Sequence, residues 1–152
     1  MSKTSHATSG CAIARGLGVL GERWTGMIVR DALRGVDRFA DFAAELGIAQ
    51  DVLTKRLNTL VAAGVMEQIP YQDEGSRTRH RYVLTASGRQ LAVALAAVGD
   101  WAATHHPVDG GSTSHFVETS SGQHVRAALV TDDGRIVAPA DARLVVGDSD
   151  AV

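Results

Sequence analysis

Three short polar side chains, Gln50, Thr54 and Asn58, recur every four residues, and three arginines, Arg77, Arg79 and Arg81, recur every two. On a helix the first spacing lines two amides and a hydroxyl along one side, where they can donate to and accept from base edges. Lys55 lies beside them with a charge suited to phosphate. On an extended strand the second spacing points three guanidiniums to one face, in reach of phosphates or of a minor groove. The alternative for that row is a solvated edge strand whose charge discourages aggregation. The other reactive group is the thiol of Cys11, the single cysteine of the 152 residues.

The elements that must carry these groups follow from periodicity. Leu53, Leu57, Leu60 and Val61 fall at i, i+4, i+7 and i+8 and predict a helix from Ala49 to Gly64, with Gly64 as its stop. Phe39, Phe42, Ala43 and Leu46 predict a helix before it, and Gly47 permits a tight turn between the two. Val65 to Tyr71 and Arg79 to Leu84 then alternate as strands around the turn residues Asp73-Glu74-Gly75-Ser76, with Tyr82 and Leu84 expected on the core face. Two helices at a sharp turn followed by a β-ribbon is the order of a winged helix-turn-helix, whose second helix suits the DNA major groove. Upstream, Ala12 to Leu20 carries Ile13, Leu17 and Leu20 on one stripe. Glu22 to Leu33 brings Trp24, Met27, Ile28 and Ala32, with Trp24 in a packing role and Glu22 and Arg23 solvated. Downstream, Ser87 to His105 places Leu91, Leu95, Val98 and Ala102 on a stripe that needs a partner, either the first helix of the same subunit or helices of a second subunit.

The residues Cys11-Ala12-Ile13-Ala14-Arg15, Gly21-Glu22-Arg23-Trp24-Thr25, Arg38-Phe39, Leu53-Thr54-Lys55-Arg56-Leu57, Leu60, Ala63-Gly64-Val65, Tyr82-Val83-Leu84-Thr85 and Gly88 occur in that order. Over Ser9 to His106 the chain resembles the HxlR-type transcription regulators, a bacterial branch of winged helix proteins related to the MarR type. The resemblance implies a homodimeric regulator that binds double-stranded DNA. It also implies, for some members, a cysteine near the first helix that senses oxidants or electrophiles. Cys11 matches that position and opens the first predicted helix, where the helix dipole favours a reactive thiol. The other reading of Cys11 is a small apolar residue at the subunit seam. The chain departs from the family pattern at Ala49 and Ala40, where serine is common. Without a side-chain oxygen at Ala49, the recognition helix forgoes about 0.5 to 2 kcal/mol of capping.

Composition bounds the rest. The hydrophobic share of 45% is ordinary for a globular protein, and the formal charge of -2 divides unevenly. Through His106 there are 12 Lys+Arg against 10 Asp+Glu, and after it 3 against 7. The DNA-binding part is thus mildly basic, and affinity must come from local placement of charge and from pairing of subunits. The expected organisation is a flexible arm over 1–10, a winged helix DNA-binding and dimerisation domain over 11–106, a linker over 107–112, a small β appendage over 113–147 and a frayed tail over 148–152. In the appendage, His115 to Glu118, His124 to Val130, Arg135 to Val137 and Ala142 to Val146 alternate around Ser120-Ser121-Gly122 and Asp132-Asp133-Gly134. Some family members carry a cysteine-rich zinc ribbon there, which a chain with one cysteine cannot build.

The fold class is therefore α+β and mainly α: a winged helix-turn-helix with flanking dimerisation helices and a small C-terminal β-hairpin appendage. Enzymatic readings find no support: there is no phosphate loop, no nucleophile elbow and no paired-carboxylate motif, and His105, His106, Asp109, His115 and His124 match no metal-ligand spacing. No cofactor, no metal and no membrane partner is expected. The polar first ten residues and the lack of a long apolar run point to a cytoplasmic chain. Because one recognition helix contacts few base pairs, two copies reading a pseudo-palindromic operator are expected. The alternative is a winged helix used as a protein-interaction module. The effector is left open.

Overall fold

The computed structural model describes residues 10–75, 77–110 and 114–145. Expectations for the arm before Gly10, for Ser76 in the hairpin turn, for Gly111 and Ser112 in the linker, for Val146 and for the tail lie outside the described residues. The chain divides into two compact units, residues 1–92 and 93–152.

The first unit begins with helices α1 (Ala12–Leu20), α2 (Arg23–Leu33), α3 (Phe39–Leu46) and α4 (Gln50–Ala62). A hairpin of β1 (Met66–Tyr71) and β2 (Arg79–Leu84) follows, and α5 (Ala86–His105) leaves it. Apolar periodicity produces the core as expected: Leu53, Leu57 and Leu60 of α4 are fully buried with Ile28 and Val29 of α2 and Phe42 of α3. Each such side chain contributes about 1.5–3 kcal/mol when withdrawn from water. Gly47 takes the left-handed conformation (φ 58°) that turns α3 into α4, and its N–H donates to the Ala43 carbonyl at 3.0 Å. At the start of α4, Ala49 makes no side-chain cap. These elements form a winged helix-turn-helix.

The hairpin is antiparallel, with Met66 opposite Leu84 and Tyr71 opposite Arg79. Met66 and Leu84 are buried and seat the hairpin on the helices. A third segment joins it: Arg38 bridges to Arg81, and the Tyr82 N–H donates to the Asp37 carbonyl at 2.7 Å. The end of the hairpin, the end of α4 and the start of α5 meet at Thr85. Its hydroxyl donates to the Gly64 carbonyl at 2.7 Å and accepts the Gly88 N–H at 3.0 Å, the geometry of a helix N-cap. Its own N–H reaches the Val65 carbonyl at 3.1 Å. Gly88 is buried against that strand, and a Cβ there would lie 2.0 Å from the Val65 carbonyl oxygen.

One departure concerns α2. The helix starts at Arg23, with Glu22 as its N-cap residue. Glu22 and Arg23 are exposed to solvent as expected, and each also has a partner. Glu22 pairs with Arg56 at 2.9 Å, and the Arg23 guanidinium lies 4.9 Å from the centre of the Trp24 ring. At the other end of α2, fully buried Asp31 holds Arg30 at 2.6 Å and Arg34 at 3.1 Å, and Arg34 reaches Glu45 of α3 at 3.5 Å.

The second unit holds the last part of α5 and two small hairpins, β3 (Phe116–Val117) with β4 (His124–Val125), and β5 (Leu129–Val130) with β6 (Ile136–Val137). The expected run from His124 to Val130 is thus split between two hairpins. One reason is Ala127, whose N–H is drawn to the Asp100 carboxylate of α5 at 3.1 Å instead of to a neighbouring strand. The expected strand after Ala142 is absent among the described residues; a 3-10 turn over Pro139–Asp141 precedes it and Ala142–Val145 is irregular. In the second hairpin the Thr131 hydroxyl bonds the Asp133 carboxylate and holds its pKa below the usual range. His105 and His106 lie against Trp101, and His115 meets His124 edge-on at 5.2 Å. Among the described residues no helix is long and apolar enough to cross a membrane, and no group of three His, Cys, Asp or Glu is placed to hold a metal.

Candidate nucleic-acid interface

With Leu53, Leu57 and Leu60 buried, α4 turns Gln50, Thr54, Lys55 and Asn58 to the solvent. All four expected residues of this helix lie on its exposed side. Gln50 is the first residue of α4, at the end of the helix that a helix-turn-helix directs at base edges. The Thr54 hydroxyl donates back to the Gln50 carbonyl at 2.8 Å, which leaves its lone pairs and methyl group for a neighbour. Arg56 points elsewhere. Its ion pair with Glu22 fastens α4 to the start of α2, and its side chain is only 19% exposed. From the sequence Arg56 could meet DNA or bridge back to an acidic neighbour, and no spacing argument joins residues 34 apart in the chain.

The three arginines of the hairpin do not form one equivalent row. Strand β2 starts at Arg79, so strand alternation covers Arg79 and Arg81 but does not extend to Arg77, which is exposed in the connection before it. Arg79 is exposed opposite Tyr71. Arg81 is engaged with the body of the domain: its guanidinium reaches Asp37 at 3.4 Å and lies 5.0 Å from the centre of the Tyr71 ring. Its Nε is enclosed with no hydrogen-bond partner among the described residues. Sequence reasoning overlooked Asp37, which lies 44 positions from Arg81 and meets it only through the packing of the fold.

Cys11 is exposed at the N-cap position of α1, with an extended backbone, and its carbonyl accepts the Arg15 N–H at 3.1 Å. No residue of α1 is buried, and Ile13 and Leu17 are 56% and 62% exposed. On α5, Val98 and Trp101 are 63% and 57% exposed. Of the two stripes seen in the sequence, that of α1 exposes Ile13 and Leu17, whereas on α5 Val98 is exposed and Leu91, Leu95 and Ala102 are half-buried.

Comparison with known proteins agrees with this architecture. The family model for the HxlR-like helix-turn-helix matches residues 19–109. An uncharacterised HTH-type transcriptional regulator of Mycobacterium tuberculosis strain H37Rv, Rv3095, is 35% identical over 130 residues, which cover 86% of this chain and 81% of that protein. Among solved structures, PA1607, described as a candidate transcription factor, superposes with a TM-score of 0.79 at 38% identity, over 93% of this chain and 99% of its own. The redox regulator HypR in its reduced form superposes with a TM-score of 0.56 at 26% identity, over 62% of this chain and 92% of its own. By its family match, its relatives and its fold, the chain belongs to the HxlR-like helix-turn-helix family of transcription regulators.

Proposed function

We propose that the chain is a sequence-specific, double-stranded-DNA-binding regulator that acts as a homodimer on a pseudo-palindromic operator. The observation that carries this reading is α4, which buries its leucines and presents Gln50, Thr54, Lys55 and Asn58 beside a hairpin that exposes Arg79. In this reading Gln50, Thr54 and Asn58 read bases, while Lys55, Arg77 and Arg79 contact phosphates. Arg81 serves chiefly to hold the hairpin in place through Asp37. Dimerisation is supported by exposed Ile13 and Leu17 of α1 and exposed Val98 and Trp101 of α5, since large apolar side chains grouped in this way are commonly covered by a partner.

The charge assignment has a direct test in binding of the purified chain to a mixed-sequence DNA duplex at a series of salt concentrations. Affinity is expected to fall steeply as salt rises, because each neutralised phosphate releases counterions. Arg79→Ala is expected to weaken binding to every sequence and to flatten the log–log salt slope by about 0.9 per lost contact. Weak binding that does not depend on salt would instead favour a protein-interaction module.

The same reading extends to Cys11 as a thiol switch, supported by its exposure at the start of α1 beside the uncovered Ile13 and Leu17 stripe. With no second cysteine in the chain, oxidation leads to a sulfenic acid, a mixed disulfide with a small thiol, or a bond between subunits. Mild oxidant is expected to change DNA affinity reversibly in the parent and to leave Cys11→Ser unchanged. An equal response in the serine variant assigns the effect to another group.

A further inference from the structure

We propose that Arg38, held on the face of Tyr71, is a further phosphate-contacting residue of the DNA surface and that Tyr71 is the residue that positions it. This rests on the DNA-binding reading above and adds to it a contact that neither α4 nor the hairpin tip supplies.

Register brings these residues to one face. Arg38 bridges to Arg81, Arg81 is opposite Ile69, and Arg79 is opposite Tyr71. Directly paired residues share a face and alternate along each strand, so Arg38, Arg81, Ile69, Arg79 and Tyr71 all stand on one face of the small sheet. It is the face opposite the one that sends Met66 and Leu84 into the core. On that face the Tyr71 ring carries two guanidiniums, Arg38 and Arg81, each 5.0 Å from the ring centre.

The two cations differ in what neutralises them. Arg81 has Asp37 at 3.4 Å, whereas no carboxylate among the described residues forms an ion pair with Arg38. Stacking holds a guanidinium in place by its plane and leaves the N–H donors at its edge free for a planar or tetrahedral oxyanion. Arg38 is thus a partly buried, positioned cation with spare donors, next to exposed Arg79 on the same face. The two acidic residues at the hairpin tip, Asp73 and Glu74, lie beyond Tyr71 in the turn and oppose an anion there. That opposition favours the Tyr71 end of the ladder, just before the acidic turn, over the turn itself as the place where a phosphodiester is held. The anion is a phosphate of the duplex backbone, and the contact carries no base information.

The experiment compares salt slopes on a mixed-sequence duplex for the parent chain, Arg38→Gln, Arg38→Lys, Tyr71→Phe and Tyr71→Leu, with thermal unfolding of each as a check on folding. Arg38→Gln is expected to flatten the slope by about 0.9 per lost contact, as Arg79→Ala does. Arg38→Lys and Tyr71→Phe should keep the slope. Tyr71→Leu keeps every charge but frees the guanidinium, and it should weaken binding with its melting temperature close to that of Tyr71→Phe. If Arg79→Ala flattens the slope and Arg38→Gln lowers only the melting temperature, the proposal is overturned and Arg38 is a fastener of the hairpin, while DNA binding itself stands. If the parent shows no salt-dependent binding, the DNA reading fails and this proposal fails with it.

Discussion

Gly88→Ala is expected to destabilise the first unit by about 3 kcal/mol or more, far above the effect of an ordinary helical glycine change. The added methyl would sit 2.0 Å from the Val65 carbonyl oxygen and 3.1 Å from Leu84 Cδ2. A backbone oxygen cannot rotate away as a side chain can, so α5 or the hairpin must shift. Either shift strains the hydrogen bonds that Thr85 makes to Gly64, Val65 and Gly88, which join α4, β1, β2 and α5. Gly26→Ala is the matching control. Gly26 lies within α2 with no atom within 4 Å of its would-be Cβ, and alanine there should stabilise by about 0.5–1 kcal/mol. Chemical denaturation of the two variants beside the parent checks both signs. Equal stabilities would show that the joint at Gly88 yields easily.

Gln50→Ala is expected to remove most of the preference for one DNA sequence while leaving affinity for mixed sequence nearly intact. Gln50 is exposed at the first position of α4, and a bidentate amide contact to a base is worth about 1–3 kcal/mol in each half-site. A two-fold dimer carries the change twice. The ratio of specific to non-specific affinity should therefore drop by more than a single contact predicts, with an unchanged salt slope because no charge is lost. A flattened slope, or an unchanged ratio, would place Gln50 away from base edges. The ratio is the quantity to measure, since affinity for one duplex alone mixes the two effects.

How much of this is legible in the sequence depends on the range of the interactions. The α1 boundaries, the α4 stripe and the hairpin strands depend on contacts that repeat every four or every two residues, and they lie where periodicity places them. The split of the appendage is different. Strands of two residues are too short to carry a period, and the Ala127 bond to Asp100 spans 27 positions. The fates of the arginines were equally hidden. Arg56 meets Glu22 and Arg81 meets Asp37 only because α2, α4 and the hairpin pack together, so an i, i+2, i+4 row looked uniform when its members are not. Gly88 stood in the sequence only as part of a family pattern, and its physical reason is the closeness of Val65. For the site, the exposed face of α4 was readable residue by residue, whereas the Arg38 and Tyr71 pair needed the register of three segments.

Selection of bound sequences from a randomised duplex library by the full chain tests the central claim most directly, because it reads specificity and two-fold symmetry at once. A dimer with one α4 per subunit should enrich an inverted repeat whose half-sites are centred about one helical turn, roughly 34–36 Å, apart. No enrichment over the starting library, or enrichment of a single short unrepeated site, would contradict a dimeric sequence-reading regulator.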